Sequence, residues 1–256
     1  MAELGWQVDG PGEGPLLVMG SSLGTTRAMW RNQVAPLSRH LRVLRYDHRG
    51  HGESAVPPGP YALDDLGADL LELLDAVAPG ERVHYAGLSL GGMIGMWLAI
   101  HAPERVGRLA LVCTSAHMPP PETWTTRAET VLTEGMEAIA DVGIGRWFTP
   151  AFAEQSPDVV AEARDMLTGT PPIGYAGCCA AVGAMDQRAE LAKISAPTLV
   201  VSAVDDPSTP PDHGRVIADA VPGSRFEVIP GAHIAAFESA DIVTGLLLDH
   251  FAGATI

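Results

Sequence analysis

Lysine is almost missing from this chain: of 16 basic residues only Lys193 is a lysine, against 31 acidic residues, so the formal charge is -15 over 256 residues. A field of that sign repels a phosphate backbone, which argues against nucleic acid as a partner. It also means that any cation gripping a carboxylate here is expected to be a guanidinium. Cysteine is scarce as well. Cys113, Cys178 and Cys179 form an odd set with an adjacent pair, which closes a disulfide only with strain, so reduced thiols and a cytoplasmic protein are expected. No basic-then-apolar leader opens the sequence, and its most apolar stretch, Gly91 to Ile100, is about half of the ~20 residues that a membrane span needs. No Gly-x-Gly-x-x-Gly follows a strand pattern, and there is no Gly-Lys phosphate loop, Cys-x-x-Cys or His-Glu-x-x-His, so neither a cofactor nor a metal is expected.

What the chain does have is 46% hydrophobic residues, enough for a full core without a disulfide framework. Short apolar runs at Leu16 to Met19, Val43 to Tyr46, Val83 to Ala86, Leu109 to Cys113, Thr198 to Ala203 and Phe226 to Ile229 read as buried strands. Between them lie helical periods, clearest at Leu63, Leu66, Leu70, Leu73, Leu74 and Val77. Alternation of this kind predicts an α/β fold with a mostly parallel central sheet flanked by helices. From about Met118 to Ala192 the strands stop, and helical stretches are punctuated by Pro119 to Pro121, Gly143 to Gly145 and Pro171 to Pro172. The expected organisation is therefore a core in two parts, 1-117 and 193-256, with a helical cap over 118-192 above the carboxyl ends of the strands, where open α/β sheets bind ligands.

Gly87-Leu88-Ser89-Leu90-Gly91-Gly92 lies between a predicted strand and a helix expected to begin near Met93. A serine on so tight a turn is held in strained geometry with its hydroxyl presented, and the Leu90 amide at the helix start can face an oxyanion. The plainer alternative is a Gly-rich turn with a buried serine. Serine needs a base and an orienting acid. His233 follows the predicted strand ending at Ile229, in a loop at the sheet's carboxyl edge; His101, His117, His213 and His250 are weaker candidates by position. The acid should follow Thr198 to Ala203, where Asp205 and Asp206 both stand, and Asp206 is the better placed in the turn. A second oxyanion donor is expected from Gly20 to Thr26, although composition alone also allows a plain Gly/Ser turn there.

Together the elbow, Asp47-His48-Arg49-Gly50-His51-Gly52, Asp206-Pro207 with Thr209-Pro210, and Gly231-Ala232-His233 resemble the α/β-hydrolase superfamily. More narrowly, Ser22-Leu23-Gly24-Thr25 with Met29-Trp30, Pro121-Glu122-Thr123-Trp124, Gly174 to Ala181 and Met185-Asp186 resemble the 3-oxoadipate enol-lactonases, over nearly the whole chain. The resemblance implies hydrolysis of a cyclic enol ester in the β-ketoadipate pathway of aromatic degradation. It further implies Ser89 as nucleophile, Asp206 as acid, His233 as base and the backbone amides of Leu23 and Leu90 as oxyanion hole. The chain departs from that group at Ser21, where asparagine is usual. That bears on the rigidity of the loop and leaves the backbone donors in place.

A lactone of this class carries a free carboxylate. Arg127, one helical turn after Trp124, is the expected anchor, with Arg146 and Arg164 as the next cap cations; the bland alternative is a solvated Arg127 and a packed Trp124. Cys178 and Cys179 read as small packing residues. The expected partner is a small lactone or ester bearing a carboxylate. The competing readings are an esterase or methylesterase for another small acid, which the same triad serves, and a catalytically silent binding protein on the same fold.

Overall fold

The computed structural model describes residues 2-252. Seven strands form one sheet: β1 (Trp6–Asp9), β2 (Leu16–Gly20), β3 (Arg42–Tyr46), β4 (Val83–Leu88), β5 (Val106–Val112), β6 (Thr198–Ala203) and β7 (Arg225–Ile229). Their spatial order is β1-β3-β2-β4-β5-β6-β7. Only β1 runs antiparallel, against β3; the other pairs are parallel. The apolar runs predict six of these strands. They miss β1, because Trp6, Gln7 and Val8 are exposed on the sheet's edge and carry no run of apolar residues. The residues of β2, β4 and β6 are buried throughout, as the central strands of a sheet covered on both faces must be.

The helices of the first half are α1 (Arg31–Leu37), α2 (Leu63–Val77) and α3 (Leu90–His101). α2 buries the predicted stripe of Leu63, Leu66, Leu70, Leu73 and Leu74. It also crosses α3 closely: a Cβ at Gly67 would stand 2.1 Å from the Trp97 ring, and Trp97 Nε1 donates to Asp64 at 2.6 Å. α3 is buried from Leu90 to Ile100, which explains an apolar stretch with no polar face. It starts at Leu90, earlier than the expected Met93, because the strand ends at Leu88 and the whole turn is made at Ser89, which stands just before the first helical residue.

Between β5 and β6 the chain forms α4 (Pro121–Glu134), α5 (Glu137–Trp147), α6 (Pro150–Gln155), α7 (Pro157–Thr168) and α8 (Pro172–Ala184). Prolines at the first turn start α4, α6, α7 and α8, where the missing N–H breaks no helical bond. α8 packs on α4, with Gly183 against Trp124, and meets the loop after β3 where Gly174 and Gly50 touch. The last helices are α9 (Pro211–Ala220), α10 (Ala235–Glu238) and α11 (Ala240–Phe251). The sequence pattern predicts a single helix from the His233 loop to Phe251. It is interrupted at Ser239, whose backbone leaves the helical region and whose hydroxyl donates to Pro230 O at 2.6 Å.

Candidate active site

Ser89 sits between β4 and α3 with φ 55° and ψ -114°, one of two non-glycine residues of positive φ among those described. Such a conformation costs of order 1–3 kcal/mol and persists only where its surroundings enforce it. They do so here. Ser89 N donates to Val112 O at 3.0 Å, Met93 N and Thr114 Oγ1 both donate to Ser89 O, and Gly91 N donates to Ser21 O at 2.9 Å. The crossing leaves no room for side chains: a Cβ at Gly91 would lie 2.2 Å from Gly20 O, and one at Gly87 would lie 2.3 Å from the Gly91 carbonyl.

His233 and Asp206 come from loops after β7 and β6, and His233 Nδ1 donates to Asp206 Oδ2 at 2.8 Å. The Asp206 carboxylate also accepts from Ser208 N, Thr209 N and Thr209 Oγ1. Burial pushes this carboxyl up, but the charge and hydrogen bond of His233 and the Thr209 donors outweigh it and hold Asp206 below the ordinary carboxylate range. Asp205, its exposed neighbour, makes no ion pair among the described residues. The other histidines point elsewhere: His101 to Trp97 O, His117 to Met185 O, His213 to Ser115 and His250 to Leu109 O. Ser89 and His233 line one cavity, and neither Ser89 Oγ nor His233 Nε2 is hydrogen-bonded to another described residue. Catalytic hydrogen bonds are commonly loose until substrate is bound.

Leu23 and Leu90 line the same cavity, and neither backbone N–H is engaged by another described residue. The loop that carries Leu23 is braced by residues whose local sequence reads as ordinary loop. His48 Nε2 donates to Ser21 O at 2.7 Å, and His51 Nε2 accepts from Gly24 N at 3.0 Å. That acceptor role requires the His51 proton on Nδ1, which faces Arg49 O at 3.2 Å. Burial lowers both imidazoles to about 4, so both are neutral at neutral pH. Asp47 accepts from the Arg27 backbone N–H and guanidinium, and Arg49 forms a fork with Asp69 at 2.6 and 2.7 Å. The run Asp47 to His51 is itself the available signal; the partners Arg27 of Asp47, Ser21 of His48, Asp69 of Arg49 and Gly24 of His51 lie 20 or more positions away.

The cavity measures about 320 Å³, and its far wall comes from α4, α5, α7 and α8. Arg127 and Arg146 both line it, and neither forms a salt bridge among the described residues. The Arg127 guanidinium lies over the Trp124 ring at 4.8 Å, so the expected shared face is present. Arg164 is outside the wall, paired with Glu137 and Asp141. Among the described residues no aspartate or glutamate lines the cavity. Cys178 and Cys179 are buried in α8, and burial pushes both thiols up, Cys179 to about 12, which leaves them inert as nucleophiles at neutral pH.

A serine on a strained strand-to-helix turn, an Asp–His pair on later loops of the same parallel sheet, and helices closing the cavity above them define an α/β hydrolase. A family profile described as alpha/beta hydrolase fold matches residues 15–143, and the chain belongs to that family; it is an ester hydrolase. Its sequence is 37% identical to 3-oxoadipate enol-lactonase 2 of Acinetobacter baylyi, over 92% of this chain and 88% of that protein. It is 42% identical to the crystallised enol-lactonase from Burkholderia xenovorans, with a TM-score of 0.95 over 97% of this chain and 96% of the other. A relative from Variovorax paradoxus, provisionally named a carbamate hydrolase, is 32% identical over 97% of this chain and 96% of its own. No helix among the described residues is long and apolar enough to cross a membrane.

Proposed function

We propose that this hydrolase opens 3-oxoadipate enol-lactone to 3-oxoadipate, with Ser89 as nucleophile, His233 as base and Asp206 as the acid that orients it. Ser89 Oγ attacks the ring carbonyl as its proton passes to His233 Nε2, and the tetrahedral oxyanion is met by the amides of Leu23 and Leu90. The ring C–O bond then breaks. An enolate leaves, a better leaving group than an alkoxide, and becomes the ketone by taking up at carbon the proton held on His233, which restores the neutral imidazole. Water next gives a proton to His233 as it attacks the acyl-enzyme; the bond to Ser89 Oγ breaks and His233 passes that proton to Ser89, so that one water is consumed for each ring opened.

The observation that carries the substrate class is the charge of the cavity wall. In a protein of formal charge -15, the space beside Ser89 and His233 holds two guanidiniums and, among the described residues, neither an ion pair for them nor a carboxylate in the wall. Such a wall favours an anionic ligand, and the free carboxylate of the lactone supplies it. The strained backbone of Ser89 supports its role as the nucleophile. A small cytoplasmic metabolite also fits the three buried, unpaired cysteines.

The test is turnover of the enol-lactone beside p-nitrophenyl acetate and a small carbamate, with fluorophosphonate labelling of the wild type and Ser89→Ala. Lactone opening with the highest kcat/KM, and labelling that disappears with Ser89, are expected. Preferential carbamate hydrolysis would reassign the substrate, and an unlabelled wild type would remove Ser89 as the nucleophile.

A further inference from the structure

The two residues flanking His233 are both tied to the segment that joins α5 to α6. Ile234 N donates directly to Trp147 O at 3.1 Å. Ala232 N donates to Glu238 Oε2 at 3.0 Å, and the same oxygen accepts from Thr149 N at 3.2 Å. The other carboxylate oxygen of Glu238 accepts from the Thr149 hydroxyl, which in turn accepts from Phe152 N at 3.2 Å and so caps α6. Phe148, between the two anchor points, is buried and stacked on Phe237 with ring centroids 6.4 Å apart. Arg146 and Trp147, the last two residues of α5, line the cavity beside Ser89.

The geometry points to Glu238 as a positioning residue that locks the loop of His233 to the helices closing the cavity, so that imidazole placement depends on the seating of those helices. This rests on the reading of His233 as the base. Glu238 touches neither Ser89 nor the imidazole, and it is absent from the cavity wall. Its one carboxylate satisfies two backbone N–H groups from segments more than 80 residues apart in the chain, a bridge that short-range sequence patterns do not announce. A free hinge on either side of His233 would let Nε2 drift from Ser89, and misplacement by about 1 Å costs on the order of a hundredfold in rate. Glutamine at 238 can still accept both N–H groups through its amide oxygen while its amide nitrogen donates to the Thr149 hydroxyl.

The experiment compares Glu238→Ala, Glu238→Gln, Thr149→Val and His233→Ala, with kcat, KM, the acid limb of the kcat–pH profile and Tm read for each on p-nitrophenyl acetate. Glu238→Ala is expected to lower kcat by about ten- to a hundredfold with KM nearly unchanged and to displace the acid limb, which reports the base in the bound complex. Glu238→Gln is expected to restore most of that kcat. A Glu238→Ala protein with lower Tm but wild-type kcat and pH limb overturns the proposal, and so does a Glu238→Gln protein as impaired as the alanine variant. If Glu238→Ala does not fold, Thr149→Val decides: a reduced kcat with a displaced limb supports the lock, and an unchanged pair overturns it. Loss of activity in His233→Ala beside a normal Glu238→Ala sinks the lock alone, whereas an active His233→Ala sinks the base assignment on which it rests.

Discussion

Asp206 Oδ2 accepts from His233 Nδ1 at 2.8 Å, while the carboxylate of its chain neighbour Asp205 is exposed and forms no ion pair among the described residues. Two adjacent acids thus have opposite surroundings. Asp206→Asn is expected to lower kcat by about 10³ to 10⁴, because the amide no longer fixes the tautomer or stabilises the imidazolium. Asp205→Asn should stay near wild type. Steady-state kinetics on p-nitrophenyl acetate checks both, and equal losses would remove Asp206 from the proposed triad.

Arg127→Ala should lower kcat/KM for the carboxylate-bearing lactone by roughly ten- to a hundredfold, since a charge-assisted contact to a partly desolvated anion is worth about 1.5 to 3 kcal/mol. p-Nitrophenyl acetate has no carboxylate to anchor and should be turned over as before. Arg127→Lys should recover only part of the loss, because an ammonium cannot form the fork. The same substrate pair applied to Arg146→Ala tells which guanidinium the carboxylate meets. A parallel fall on both substrates would make either arginine a support of the helices instead.

Acid should unfold this protein in a defined window. His48 and His51 are lowered by burial from 6.5 to about 4, so above pH 6.5 they are neutral in the folded and unfolded chain alike. As pH falls from 6.5 towards 4 the unfolded chain takes up protons that the folded one refuses, and stability falls by up to ~3 kcal/mol for each imidazole, flattening below 4. His84 and His250 are lowered to about 4 in the same way, with burial the largest cause. Urea unfolding at pH 8, 6.5, 5 and 4 should show this slope, and His48→Gln should make it shallower. A flat profile across that window would contradict the neutral imidazoles that brace the loop of Leu23.

The Ser21 hydroxyl is buried without a hydrogen-bond partner among the described residues, although the Ser21 carbonyl is held by His48 and Gly91. Ser21→Ala should therefore leave Tm unchanged or raise it, because a buried unpaired hydroxyl costs about 1 to 3 kcal/mol. A clear fall in Tm would show that the hydroxyl contributes to the rigidity of the loop.

Local chemistry by itself makes much of this protein legible. Apolar runs and 3.6-residue stripes report burial within a few turns of chain, so strands β2 to β7, α2 and the all-helical stretch after β5 can be read directly. The elbow is legible for the same reason, since its strain, its glycines and its flanking elements all fall within a dozen residues. Edge strand β1 escapes because its exposed side chains carry no burial signal.

Tertiary structure decided what depends on contacts between distant segments: Asp206 rather than Asp205 against His233, His48 and His51 under the loop of Leu23, Arg146 inside the cavity wall and Arg164 outside it, and Glu238 between Ala232 and Thr149. A hydrogen bond is satisfied or lost within a few tenths of an ångström, and that distance is set by how whole elements pack, which no window of sequence contains.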